Sequence, residues 1–130
     1  MIDYFGHIFY ANVFVGIAFN EESYIKECKR LNIKEPPIFN DKVASIKSFT
    51  KNDGGLTLII CFNPLKNRKL HKNQIVAVLA HEAVHASDYI FENIGENKVG
   101  METRAYLVQY IVQQSLYVMD DFLKKKRKKK

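Results

Sequence analysis

A His-Glu-x-x-His motif inside an apolar run is the feature that most constrains this chain. His81 and His85 lie four residues apart within residues 75–94, and a helix places side chains at that spacing about 40° apart on one face. The run is apolar nearly all round, which predicts a buried helix over residues 71–93. A histidine or glutamate buried in such a helix is costly unless it is paired or bound to a metal, so the motif needs a partner.

Two imidazoles on one helical face can hold a zinc ion, and Glu82 beside them can act as a general base on a water activated by that zinc. In a chain with four histidines and eight glutamates, the motif arises by chance in roughly 0.7% of cases. The alternative is a helix with two core histidines that form hydrogen bonds to neighbours. We predict that His81 and His85 are zinc ligands and that Glu82 is catalytic.

A catalytic zinc usually has three protein ligands and one open position. No histidine follows His85, so a third histidine downstream is excluded and a carboxylate is expected. Glu92, on the same helix, points away from the motif face, and Glu96 lies in the loop that follows. We therefore predict Glu102, in the first turn of the next helix, as the third ligand. The alternative is that Glu102 only interacts with the helix dipole.

Two further residues are candidates for supporting roles. Asp88 lies on the motif face and could accept the second N–H of a ligand imidazole, or could be a surface or capping carboxylate. Tyr106 could donate to the oxyanion of a scissile carbonyl, or could be an ordinary packed tyrosine. Tyr106, Gln109 and Gln113 extend a polar line that begins at Glu102. This line either forms a wall of the site or faces water.

Hydrophobic periodicity and turn signals predict the element order strand, helix, strand, strand, helix, helix. Strands are predicted at residues 13–19, 43–50 and 56–62, and helices after Asn20, at residues 71–93 and at residues 99–123. The second and third strands form a hairpin around the turn at residues 52–55. We expect one α+β domain over residues 1–123, with a short antiparallel sheet packed on two long C-terminal helices.

The positive charge is concentrated at one end of the chain. The formal net charge is +6, yet without the last seven residues there are 13 basic and 14 acidic side chains. The seven basic residues are Lys124, Lys125, Lys126, Arg127, Lys128, Lys129 and Lys130. We predict that residues 124–130 form a disordered basic tail. Such a tail either binds nucleic acid or another anionic surface through phosphates, or is merely solvated.

Composition indicates the cellular setting. Asp3 and the absence of Lys or Arg before the first apolar stretch argue against a secretory signal, and that stretch is too short to span a membrane. Cys28 and Cys61 do not make a disulfide framework, which favours buried thiols. These features together predict a protein of the reducing cytoplasm.

The motif followed by Glu102 resembles the gluzincin type of zinc metallopeptidase in a minimal form. Residues 81–90, with Glu102 and residues 105–110, are similar to short zinc-peptidase-like proteins encoded by bacteriophages. The resemblance covers about residues 75–112. It implies a small zincin-like fold, zinc as cofactor, a protein or peptide substrate, and a location in the bacterial host cytoplasm or the virion. It also implies that residues 56–62 or their partner strand form the edge on which an extended substrate lies.

Two functions are compatible with these features. The first is a zinc-dependent peptidase in which Glu82 takes a proton from the attacking water and passes it to the leaving amine. The second is a non-catalytic zincin-fold structural or nucleic-acid-binding protein, such as a virion component, that uses the basic tail. The intact Glu82 favours the first function, because structural zinc does not need it. The small size and the tail favour the second.

Overall fold

A computed structural model of the chain describes residues 2–5, 12–40, 42–95 and 100–128. The strands are β1 (Asp3–Tyr4), β2 (Val13–Ala18), β3 (Ala44–Thr50) and β4 (Leu56–Phe62), and the helices are α1 (Glu21–Arg30), α2 (Lys72–Asn93) and α3 (Met101–Lys128). The α+β class and the predicted element order are confirmed, with the short β1 added at the start. Within these ranges, no helix is both long and apolar enough to cross a membrane.

The four strands form one mixed sheet in the order β1-β2-β4-β3. The β3–β4 hairpin is antiparallel as predicted, but β2 and β4 are parallel, so the predicted purely antiparallel sheet is wrong. Parallel neighbours need a long crossover, and α1 with β3 fills the chain between β2 and β4. Every residue of β4 is buried, as is usual for a central strand covered on both faces. Because β3 is the last strand in the sheet order and pairs only with β4, it is an edge strand of the described sheet.

Local signals determine both ends of α2. His71 caps the start, because its Nδ1 accepts the Asn73 backbone N–H at 3.0 Å while the Gln74 side chain accepts the His71 N–H at 2.8 Å. This reciprocal arrangement satisfies two N–H groups that have no partner inside the helix. Gly95 follows the last turn with φ +78°, the left-handed conformation that glycine adopts readily at a helix end. The predicted bounds of this helix are therefore confirmed.

The sheet separates two apolar layers. On one face, α2 and α3 contribute Leu79, Ala83, Ile90, Leu107 and Ile111 to a core shared with β2 and β4. On the other face, α1 contributes Tyr24 and Cys28. Only one side of α2 is covered, since Ala77, His81, Val84, His85 and Tyr89 are exposed. The prediction of a helix buried all round is thus wrong. The helix α2 carries more apolar side chains than its one packed face can bury, so some of them are exposed.

The basic residues near the end of the chain continue α3. This helix extends through Lys128, five residues beyond the predicted helix end at residue 123. The predicted domain boundary and the predicted disorder of the tail stay predictions, and residues 129 and 130 lie outside the described ranges. Lys and Arg are good helix formers and interact favourably with the C-terminal end of a helix dipole. Stacking of Phe122 on Phe19, with ring centroids 4.6 Å apart, also anchors the turn before them.

Candidate metal centre

A cleft of about 640 Å³ lies between the exposed face of α2 and the start of the edge strand β3. The α2 side of the cleft is formed by Ala77, Val78, His81, Glu82, His85 and Tyr89. The opposite side is formed by residues 42–46, which lead into β3 and begin it. The cleft thus brings together all three residues predicted from the motif, with a sheet edge facing them.

The two motif imidazoles face each other in this cleft. The Nε2 atoms of His81 and His85 lie 3.1 Å apart, and the ring planes are inclined by 74°. Two nitrogen ligands of a tetrahedral zinc ion, each at about 2.0–2.1 Å, are separated by about 3.3 Å. The pair therefore fits one shared zinc ion. The same separation also permits one ring to donate its N–H to the other.

Glu82 is buried although it lines the cleft. Its side chain is 6% exposed, because it lies between the packed face of α2 and the motif face. Among the described residues its carboxylate forms no hydrogen bond or ion pair, yet its oxygens are not among the fully buried polar atoms that lack a partner there, which are Tyr4 Oη and Ser115 Oγ. The carboxylate therefore opens onto the cleft that also holds the two imidazoles. A carboxylate in this position could act on a water at a metal held by those imidazoles, and this is the second feature of the structure that fits a metal.

Glu102 and Tyr106 do not line the cleft. Both are exposed, Tyr106 to 59%, and with Gln109 and Gln113 they lie on the solvent face of α3, away from the buried Leu107. The polar line therefore faces water rather than forming a site wall. In the described part of the chain, no three His, Cys, Asp or Glu side chains are arranged to hold a metal. The roles of Glu102 and Tyr106 stay predictions.

Asp88 pairs with Arg104 of α3 rather than with a motif imidazole. Arg104 Nη1 donates to Asp88 Oδ1, and the Arg104 guanidinium lies 5.4 Å from the centre of the Phe91 ring. A guanidinium is a stronger partner for a carboxylate than an uncharged imidazole would be, because the guanidinium and the carboxylate carry opposite charges. The pair holds the first turn of α3, which carries Glu102, beside α2 one turn beyond His85.

Two features of the cleft were missed by the sequence analysis. Tyr89, 38% exposed, lines the cleft four residues after His85. The i, i+4 spacing that selects the histidines also selects this tyrosine. Lys42 and Val43 approach α2 from the segment before β3. Only tertiary packing brings these two residues beside α2, and no local sequence pattern predicts their position. The alternative carboxylate Glu96 lies outside the described residues.

The two thiols are unsuited to nucleophilic catalysis. Cys28 and Cys61 are free and buried. Burial raises the pKa of the Cys61 thiol to about 12 and also raises the pKa of Cys28. The thiolate is the nucleophilic form, so both groups are unreactive near neutral pH. Neither thiol lines the motif cleft, whose titratable residues are Lys42, His81, Glu82, His85 and Tyr89.

The predicted anionic-surface residues are exposed at the end of α3. Those described are Lys124, Lys125, Lys126, Arg127 and Lys128. They lie away from the residues that line the motif cleft. Lys129 and Lys130 lie outside the described ranges. Binding of an anion by this segment is thus separable from any metal chemistry in the cleft.

Comparison of the chain with protein-family models, with curated proteins and with solved structures finds no match. The geometry of His81, Glu82 and His85 is consequently the only structural support for a metal centre in the described part of the chain.

Proposed function

We propose that the protein is a zinc-dependent peptidase that hydrolyses peptide bonds in the cleft beside α2. The observation that carries this proposal is the joint placement of two facing Nε2 atoms, 3.1 Å apart, and a buried carboxylate in one cleft. The resemblance to short phage-encoded zinc peptidases supports the same chemistry and a site of action in the bacterial host cytoplasm. Zinc is the proposed cofactor and a protein or peptide is the proposed substrate.

Each motif residue has a role in this proposal. His81 and His85 hold the metal, and Glu102 is the candidate third ligand. A bound zinc ion supplies Lewis acidity and a water that is nucleophilic near neutral pH. Glu82 accepts the proton of the attacking water and returns it to the leaving amine. Tyr106 is the candidate donor to the oxyanion.

The edge strand β3 offers a binding surface for an extended substrate. Its first residues line the cleft opposite the histidines, and β4 is its only neighbour in the described sheet. An edge strand presents unpaired backbone N–H and C=O groups, to which an extended peptide can add as a further strand. Because β4 lies between β2 and β3, it has no free edge. The substrate is therefore proposed to bind along β3.

Replacing Glu82 by Gln tests the peptidase proposal. Hydrolysis of a quenched-fluorescent peptide library, with zinc supplied, should fall by about 10²–10⁴-fold, because the general base is removed. Zinc content should not change, since both histidines remain. The matched control is Glu92→Gln, an exposed glutamate of the same helix outside the cleft lining. Equal activity of Glu82→Gln and wild type would exclude Glu82 as the base.

The second candidate is a non-catalytic zincin-fold protein that binds nucleic acid through the end of α3. The exposed basic residues of α3, and the absence of a third ligand at the histidine pair among the described residues, favour it. A wild-type protein that holds zinc but cleaves nothing in the library would support this candidate. Its oligonucleotide binding would weaken steeply with salt and would be the same in Glu82→Gln.

A further inference from the structure

A second cavity, of about 560 Å³, lies at the other end of α2. It is enclosed by the segment after β4, the first turns of α2 and the end of α3. Its aliphatic lining consists of Pro64, Leu65, Leu70, Ile75 and Leu123. These side chains are buried or half-buried rather than projecting. Asn67 and three basic side chains complete its lining, and we call this space the cationic cavity because of those three.

The basic side chains in the lining are Arg68, Lys126 and Arg127. The two segments that contribute them, residues 63–72 and 124–130, contain 11 of the 20 Lys and Arg residues and no acidic residue. The rest of the chain has nine basic and 14 acidic residues. Within the described ranges, ion pairs involve only Lys26, Arg30 and Arg104. Arg68, Lys126 and Arg127 therefore form no ion pair there, although Lys126 also lies over the Phe122 ring and interacts electrostatically with Glu22.

Helix stability accounts for only one of these two basic segments. Cations at the end of α3 interact favourably with the helix dipole. Lys72 lies in the first turn of α2, where no acidic residue is present and where a cation opposes the dipole. Lys66, Arg68 and Lys69 precede that turn. A bound polyanion would compensate this concentration of positive charge.

We propose that the cationic cavity binds an acidic polypeptide segment that inserts one large apolar side chain between the cations. The aliphatic lining fits such a side chain, and the surrounding cations fit several carboxylates. A nucleic acid would bring phosphates and aromatic bases, but no aromatic side chain lines the cavity to stack on a base. Binding to a bilayer requires apolar side chains that project from the surface, whereas the apolar side chains here line a cavity. A fatty acid has a single carboxylate and would leave most of the surrounding cations without an anionic partner. Binding here does not depend on a metal in the cleft.

The test starts from a random displayed-peptide library selected on the full-length chain. We expect selected peptides to combine several Asp or Glu residues with one Leu, Ile, Met or Phe. Fluorescence anisotropy then measures the affinity of the best synthetic peptide. Replacing its apolar residue by Ala should weaken binding by about tenfold or more, because burial of that side chain is lost. The double variant Arg68→Glu/Arg127→Glu should weaken it by about tenfold or more.

The matched control is Lys34→Glu/Lys51→Glu, which changes the net charge equally at exposed positions away from the cavity. It should bind the peptide about as well as wild type, within about twofold. The proposal is overturned if the library selects no such peptides, if the Ala peptide binds equally, or if the control variant weakens binding as much. Tighter binding of a DNA duplex, a single-stranded RNA or phosphatidylserine vesicles, with the same dependence on Arg68 and Arg127, would also overturn it.

Discussion

The two faces of α2 differ in what they contribute to the molecule. One face is apolar and fully buried through Leu79, Ala83, Ala86 and Ile90. The other is open to the cleft and carries Ala77, His81, His85 and Tyr89. Glu82 lies at the boundary, buried yet lining the cleft. The packed face holds the helix on the sheet, and the open face presents the two imidazoles without taking part in that packing.

This difference shows that apolar composition alone does not reveal which face of a helix is packed. Val84 is 45% exposed although it lies within the apolar run that carries the motif. Ser87 is buried, where its hydroxyl donates to the Val84 carbonyl oxygen at 2.8 Å. If the open face serves metal binding and the packed face serves the fold, substitutions on the two faces should separate stability from chemistry.

The largest effect on stability is expected on the packed face. Leu79→Ala should lower the free energy of unfolding by about 2–5 kcal/mol, because a fully buried side chain is replaced by a cavity. His81→Ala, in metal-free buffer, should change it by no more than about 0.5 kcal/mol, since this side chain is exposed. Urea denaturation followed by circular dichroism measures both values. Equal losses would show that the open face is also structural.

Zinc should stabilise the chain through the open face alone. At a zinc concentration of about 100 times Kd, the free energy of unfolding should rise by about 2.7 kcal/mol, because zinc binds the folded chain. His85→Ala should remove this gain. Leu79→Ala should keep the gain from zinc, although its free energy of unfolding without zinc is lower than that of wild type. Thermal denaturation with zinc and with a chelator measures the shift. An unchanged Tm in wild type would count against a metal site.

The smallest effect is expected for the ion pair that joins α2 to α3. Asp88→Asn should lower the free energy of unfolding by no more than about 1 kcal/mol, because both Asp88 and Arg104 are partly exposed. The matched variant Arg104→Gln should cost slightly more, since it also loses the contact with the Phe91 ring. If Asp88→Asn instead lowers zinc affinity by about 10–100-fold, the originally predicted role of Asp88 in orienting a ligand would be supported.

Much of the fold follows from local patterns in the sequence. The side chain of Asn20 accepts the Ser23 N–H at 2.8 Å at the start of α1, as its capping propensity predicts. Gly54, with φ +86°, lies in the turn of the predicted hairpin. The facing pair His81 and His85 follows from helical spacing alone. Each of these features is decided within a few residues of sequence, where pattern and structure correspond closely.

The remaining features depend on contacts between distant residues. Parallel pairing of β2 with β4, the edge position of β3 and the approach of Lys42 to α2 are properties of topology. The cationic cavity likewise joins two segments more than fifty residues apart in the sequence. The outward direction of Tyr106 depends on which stripe of α3 packs against α2 and the sheet. Hydrophobic periodicity indicates which stripes of α3 are apolar, but it does not determine which element each stripe packs against.

The most direct test of the metal centre is elemental mass spectrometry on protein purified without added metal or a His-tag, repeated after zinc is supplied. We expect about one zinc per chain in wild type, essentially none in His81→Ala/His85→Ala, and a loss in Glu102→Ala if Glu102 is the third ligand. Zinc retained in Glu102→Ala would assign the third ligand position to another residue. Absence of zinc from wild type even after it is supplied would contradict the proposed metal centre.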